Sequence, residues 1–117
     1  TIRIVYFINF VKDNITVYRG VDYNALSDID LNDAVGAEIE DKGYMSTSPV
    51  HVDISDRKDC LLEIQVPSGK GLGAYVNSLS GFKNVEYEFL LKRGTRCEIL
   101  SVDTSGEKPI IKMRVIV

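Results

Sequence analysis

Short apolar segments broken by turn residues dominate this chain, and their period of two specifies strands. "ITVYRGV" (15 to 21) alternates and is rich in branched and aromatic residues. "CLLEIQV" (60 to 66) ends at Pro67, where Pro67-Ser68-Gly69 supplies turn chemistry. "YEFLL" (87 to 91), "TRCEILSV" (95 to 102) and "PIIKMRVIV" (109 to 117) follow, separated by Arg93-Gly94 and by "DTSGEK". Residues 22 to 38 fit a helical period only loosely, at Leu26, Ile29, Leu31, Ala34, Val35 and Ala37, which predicts a short helix within a loop. The segment 2 to 11 reads equally as a strand or as the end of a helix. The expected class is α+β, mostly β, or a mixed or antiparallel sandwich.

Composition narrows the function classes. A chain of 117 residues is one domain by length, spanning 1–117, and shows no repeat, low-complexity tract or linker. A formal charge of −3 without a basic cluster argues against binding nucleic acid by phosphate neutralisation. No apolar stretch reaches membrane-spanning length, and "IRIVYFINFV" has no small-residue cleavage site after it, so it reads as a core element. Cys60 and Cys97 lack CxxC or metal spacing, and His51 cannot complete a zinc site with them, so no metal is expected. Two buried free thiols is the default reading of the cysteines, with a disulfide between them as the alternative.

Some motifs fail on inspection. "DIDLND" (28 to 33) begins like a calcium loop, but position six is Asp33 rather than Gly and position twelve is Ile39 rather than Glu. "GKGLG" (69 to 73) lacks the spacing of a phosphate-binding glycine loop and reads as a turn between strands.

Three pieces remain. Arg19 ends a predicted strand and is followed by Gly20, which lets a ligand approach the backbone. "GYMSTSP" (43 to 49) sets hydroxyls at Ser46, Thr47 and Ser48 on a short strand ended by Pro49. "NVEYEFLLKRG" (84 to 94) puts Glu86 and Glu88 on one face of a strand, where each raises the cost of ionising the other. Taken singly, each has a plain reading: a surface arginine, a polar edge strand, and the wet face of a strand.

Taken in order, the pieces resemble the arginine–serine–glutamate class of mono-ADP-ribosyltransferases, the C2/C3-like exoenzyme toxin family. That pattern is an aromatic-Arg strand, an aromatic residue near Ser-Thr-Ser, and (Glu or Gln)-x-Glu. Here these are Tyr18-Arg19, Tyr44 with Ser46-Thr47-Ser48, and Glu86-Tyr87-Glu88. The similarity extends to "LEIQVPSGKGLGAYV" and "FLLKRGTRCEI", and so covers roughly residues 15 to 102.

The resemblance implies a core of two packed, mainly antiparallel sheets and transfer of ADP-ribose from NAD to a protein side chain. Cleavage of the nicotinamide–ribose bond leaves an oxocarbenium-like ribose, which a fixed carboxylate stabilises. By resemblance that carboxylate is Glu88, bonded to the ribose 2′-hydroxyl and held by Ser46, with Thr47 and Ser48 also at the NAD site. Arg19 is implied to grip a phosphate of NAD, a task suited to the guanidinium fork. The Gly20 backbone is implied to bind the nicotinamide carboxamide. Glu86, about 6.6 Å up the strand, is implied to orient an acceptor arginine and take up its proton, with direct displacement and inversion. Phe82 in "SGFKNV" matches a target-recognition aromatic, or is a loop aromatic folded back on the core. Arg57 matches a second phosphate-binding cation, or is a solvated charge in "DISDRKD".

The implied partner is a protein target, with no nucleic acid, membrane or metal. The implied location is secreted or delivered into a target cell, with transfer in the cytosol. The departure is at the start: only about 18 residues precede Arg19, so the family's N-terminal helices are largely missing, and Tyr6 and Asn9 are the candidates to substitute for their Tyr and Asn, without an alignment to place them. The expectation is either a minimal domain cut from a longer polypeptide or an NAD site that is weak or depends on a partner chain or domain. The rival readings are an inactive module used for protein binding and part of a phage structural protein.

Overall fold

A computed structural model describes residues 2–6, 14–26, 29–43, 45–48, 58–68, 71–79 and 85–117; at 2–6, 25, 74–79 and 85–87 it describes the backbone alone. Nine strands run in chain order: β1 (Ile2–Tyr6), β2 (Ile15–Val21), β3 (Glu38–Asp41), β4 (Met45–Thr47), β5 (Cys60–Val66), β6 (Gly73–Leu79), β7 (Val85–Leu91), β8 (Thr95–Asp103) and β9 (Ile110–Val115). They form two sheets, a four-stranded one ordered β1-β6-β7-β4 and a five-stranded one ordered β2-β5-β9-β8-β3. Every pairing is antiparallel except that of β5 with β9, where Ile64 stands opposite Met113. The expected mainly antiparallel pair of sheets is therefore the observed architecture.

Alternation explains which face is buried. In β9, Ile111, Met113 and Val115 are buried while Lys112 and Arg114 are exposed. In β8, Thr95, Cys97 and Ile99 are buried until a β-bulge between Ile99 and Ser101 shifts the register. The extra residue changes the phase, so Val102 now packs against the core. Phe89 and Leu91 of β7 meet Val17, Ile64, Cys60 and Cys97 in one cluster, which joins the two sheets. Both cysteines are buried free thiols. The opposite face of the five-stranded sheet is wet, and cross-strand charges lace it. Arg96 bonds Glu38 at 3.1 Å, Arg114 bonds Glu98 at 3.2 Å, and Lys112 lies 3.8 Å from Glu63.

Gly73 permits a close approach between β6 and β7. A Cβ there would come within 2.5 Å of both the Leu90 carbonyl oxygen and the Phe89 ring. A side chain at 73 would therefore push β6 off β7.

Residues 22–38 depart from the expected helix in a loop. They hold two short 3-10 turns, Tyr23–Leu26 and Leu31–Asp33, and the start of β3. The acidic side chains satisfy backbone donors locally: Asp30 Oδ1 accepts the Asn32 N–H at 3.0 Å and caps the second turn. Leu26 and Ala34 are buried as isolated anchors rather than as a helical stripe. The described part of segment 2–11 is a strand.

Candidate functional site

The two sheets meet edge to edge at a single rung. The Tyr18 N–H donates to the Ser48 carbonyl at 2.8 Å, and the Ser48 N–H donates back at 2.8 Å. This isolated bridge joins β2 of one sheet to the end of β4 in the other. It brings Arg19 next to the Ser-Thr-Ser strand from across the sheet boundary.

Pairing within the second sheet does the rest. Ser46 stands opposite Leu90 and Thr47 opposite Phe89 on β7. The Ser46 hydroxyl donates to Glu88 Oε2. Arg19 Nη1 donates to the Ser46 carbonyl at 2.8 Å. Ser46 thus links the guanidinium to the carboxylate through two different atoms, its carbonyl and its hydroxyl. Glu88 and Arg19 are half-buried, which shields them partly from water, while Ser46 is exposed.

Thr47 faces the other way. It is 3% exposed, and its hydroxyl donates to the Phe89 carbonyl at 2.6 Å. A threonine suits a buried strand position of this kind because its methyl packs while its hydroxyl finds a backbone acceptor. Expected among NAD-binding residues, Thr47 spends its hydroxyl holding β4 to β7 instead. Ser48 is half-buried, with its backbone committed to Tyr18.

Gly20 lies two residues past the Tyr18 rung. Strand alternation turns its N–H and C=O to the same edge as those of Tyr18. The bridge stops after one rung, so β4 does not pair there. A cation shapes the sheet face at this glycine: a Cβ at 20 would meet Lys58 Cγ at 3.0 Å. Lys58 in turn lies 3.7 Å from Asp22. The glycine thus serves side-chain packing on one face as well as leaving a backbone edge.

Position 86 lies two residues before Glu88 on β7, opposite Ser78 of β6. Its side chain lies outside what the structure describes, as do the side chain of Tyr6 and residues Asn9, Tyr44, His51, Arg57 and Phe82. The structure therefore brings Arg19, Gly20, Ser46, Ser48 and Glu88 to one junction between sheets. Sequence reasoning did not single out Asp59, whose carboxylate accepts the Tyr23 N–H at 2.9 Å just beyond the Arg19 strand. The available signal was an aspartate one residue before a strong strand pattern.

Comparisons with known proteins agree with this architecture. The family model described as ADP-ribosyltransferase exoenzyme matches residues 9–116. The fold is similar to that of C3larvin toxin, an ADP-ribosyltransferase from Paenibacillus larvae, with 22% identity, TM-score 0.72, and coverage of 95% of this chain and 66% of that one. It is similar to C3stau2 from S. aureus with NAD, at 22% identity and TM-score 0.72, covering 92% of this chain and 64% of that one. It is also similar to the catalytic domain of VahC from Aeromonas hydrophila, at 29% identity and TM-score 0.63, covering 87% and 60%. The chain thus spans less than two thirds of the length of each of these three structures. A search of curated proteins found no match. Matched along nearly its whole length, the chain belongs to the ADP-ribosyltransferase exoenzyme family.

Proposed function

We propose that the chain is an NAD-dependent mono-ADP-ribosyltransferase that moves ADP-ribose to an arginine of a protein target and releases nicotinamide. The observation that carries this reading is the Ser46 hydroxyl bonded to Glu88, with Arg19 on the carbonyl of the same serine. A carboxylate fixed in this way is suited to stabilising positive charge as it develops on a ribose. A half-buried guanidinium beside it suits a diphosphate. The edge at Gly20, where the described residues of β4 do not pair, offers a donor and an acceptor side by side, which matches a carboxamide.

Each group then has one task. Arg19 holds a phosphate, Gly20 orients the nicotinamide, and Ser46 aims Glu88 at the ribose 2′-hydroxyl. Glu86, about 6.6 Å along β7, orients the acceptor guanidinium and takes up its proton as the new bond forms at the anomeric carbon. Attack comes from the face opposite the leaving nicotinamide, so configuration inverts. Phe82 meets the protein target, and Arg57 adds a second contact to the diphosphate. The family's toxins support secretion or delivery into a target cell, with transfer in the cytosol.

The test is a pair of variants measured for NAD hydrolysis and for transfer to an arginine acceptor. Glu88→Gln is expected to lose both activities. Glu86→Gln is expected to lose transfer while keeping hydrolysis. Equal loss of both activities in both variants removes the division of roles, and wild-type protein that neither binds nor cleaves NAD removes the reading.

A further inference from the structure

The ladder between β2 and β5 ends in an unusual way. Its regular pairs run from Ile15 with Val66 to Val21 with Cys60. Beyond them one residue, Asp59, continues the pairing with two different groups. Its N–H donates to the Val21 carbonyl at 3.1 Å, and its carboxylate accepts the Tyr23 N–H at 2.9 Å. The side chain stands where a further backbone carbonyl of β5 would be. The chain of β2 is then held past its last regular pair, up to the start of the 3-10 turn at Tyr23.

Gly20 sits between two fixed points. On one side the Tyr18–Ser48 rung ties β2 to β4 through both backbone groups. On the other side Val21 pairs with Cys60 and accepts the Asp59 N–H, and the Asp59 carboxylate holds Tyr23, the one bond here that its side chain makes. Gly20 itself pairs with Leu61 in the ladder, and because a glycine has the widest backbone freedom of any residue, the direction of its N–H and C=O is sensitive to how firmly both flanks are held. From this we infer that Asp59 is a positioning residue for NAD, acting through the backbone of β2 to aim the Gly20 edge. The inference rests on the proposed reading of Gly20 as the carboxamide site. Asp59 touches no substrate itself. It sets the direction of a donor and an acceptor that do, and a carboxamide contact made equally in the ground and transition states shows its loss in KM rather than kcat.

The matched control is Asp30. Its carboxylate makes a similar bond, to the Asn32 N–H at 3.0 Å, in a loop that does not hold Gly20. Calorimetric titration with NAD, together with kcat and KM for NAD hydrolysis, compares wild type with Asp59→Ala, Asp59→Asn, Asp59→Glu and Asp30→Ala in the 117-residue chain. Asp59→Ala is expected to raise the Kd and KM for NAD about ten-fold with kcat within about two-fold. Asp59→Asn keeps a carbonyl oxygen for Tyr23 and is expected to recover most of the affinity, and Asp30→Ala binds as wild type. Should Asp59→Ala fail to fold, Asp59→Glu displaces the carboxylate by one methylene and is expected to weaken NAD binding. Wild-type affinity in whichever of these two folds, or an equal loss in Asp30→Ala, overturns the inference while leaving the proposed function standing. A folded wild type that binds no NAD overturns both.

Discussion

Ser46→Ala separates two bonds that one residue makes with different atoms. The hydroxyl bonded to Glu88 is lost, while the carbonyl that accepts from Arg19 is retained. A hydrogen bond to a charged group contributes about 1.5 to 3 kcal/mol. Glu88 is half-buried and Ser46 exposed, so water can replace part of the lost bond and the lower end of that range applies. About 1.5 to 2 kcal/mol on the barrier corresponds to a fall in kcat of about ten- to thirty-fold. KM for NAD should stay within about two-fold, because the guanidinium of Arg19, proposed to hold a phosphate, is positioned by the backbone oxygen that alanine keeps. The Ser46–Glu88 bond also links β4 to β7 in the free protein, so stability should fall as well, by up to about 1.5 kcal/mol or roughly 4 to 8 °C in a domain of this size. The assay is nicotinamide release at a series of NAD concentrations, with thermal unfolding measured in parallel and Ser46→Thr as the variant that restores a hydroxyl. An unchanged kcat, or a KM that rises while kcat holds, refutes the claim that Ser46 aims the carboxylate.

Gly73→Ala should lower the urea midpoint by the equivalent of about 2 to 3 kcal/mol, because the added methyl meets a backbone carbonyl and an aromatic ring that cannot both give way. An unchanged midpoint would show that β6 and β7 can part without cost. Burial pushes the Cys97 thiol from 9.0 up to about 11, and burial followed by Asp59 and Asp22 raises Cys60. The unfolded chain therefore releases these protons before the folded one does, so this share of stability is full below about pH 9 and falls between pH 9 and 11. Across that window the urea midpoint of wild type should fall relative to that of a Cys60→Val, Cys97→Val double variant, by at most the equivalent of a few kcal/mol; parallel curves refute it. Phe82→Ala should weaken transfer to a protein target and spare NAD hydrolysis, and an equal fall in both would make Phe82 a folding residue.

Sequence alone located the strands whose two faces differ. Segments 15–21 and 60–66 coincide with β2 and β5, because branched residues alternate with polar ones up to a turn signal. The 95–102 segment matched β8 within a residue although a bulge interrupts it, since the apolar residues on either side still read as strand. The C-terminal segment was set too long, at 109–117 against Ile110–Val115, and 87–91 began two residues late. Glu38–Asp41 was not picked out because an edge strand with one apolar residue, Ile39, carries no periodic signal. Gly73–Leu79 was not named as a strand because its glycine, which close packing requires, resembles a loop residue. Within the site, the residue types of Arg19, Ser46 and Glu88 were legible from their order. The inward turn of Thr47 and the grip of Asp59 depend on which edge of which strand meets another, which no local pattern encodes.

The proposed chemistry draws on both sheets. The guanidinium of Arg19 comes from the five-stranded sheet and the carboxylate of Glu88 from the four-stranded one. Ser46 stands between them, taking the cation on its carbonyl and giving its proton to the carboxylate. Thr47, next in the chain, turns inward and bonds β7, so the strand that carries Ser46 cannot slide along the strand that carries Glu88. The pleat makes these two jobs compatible: adjacent residues on β4 face opposite sides, Thr47 toward the core that fixes the register and Ser46 toward Glu88. A shift of register by a single residue would exchange their faces, burying the Ser46 hydroxyl and taking from Glu88 the group that holds it.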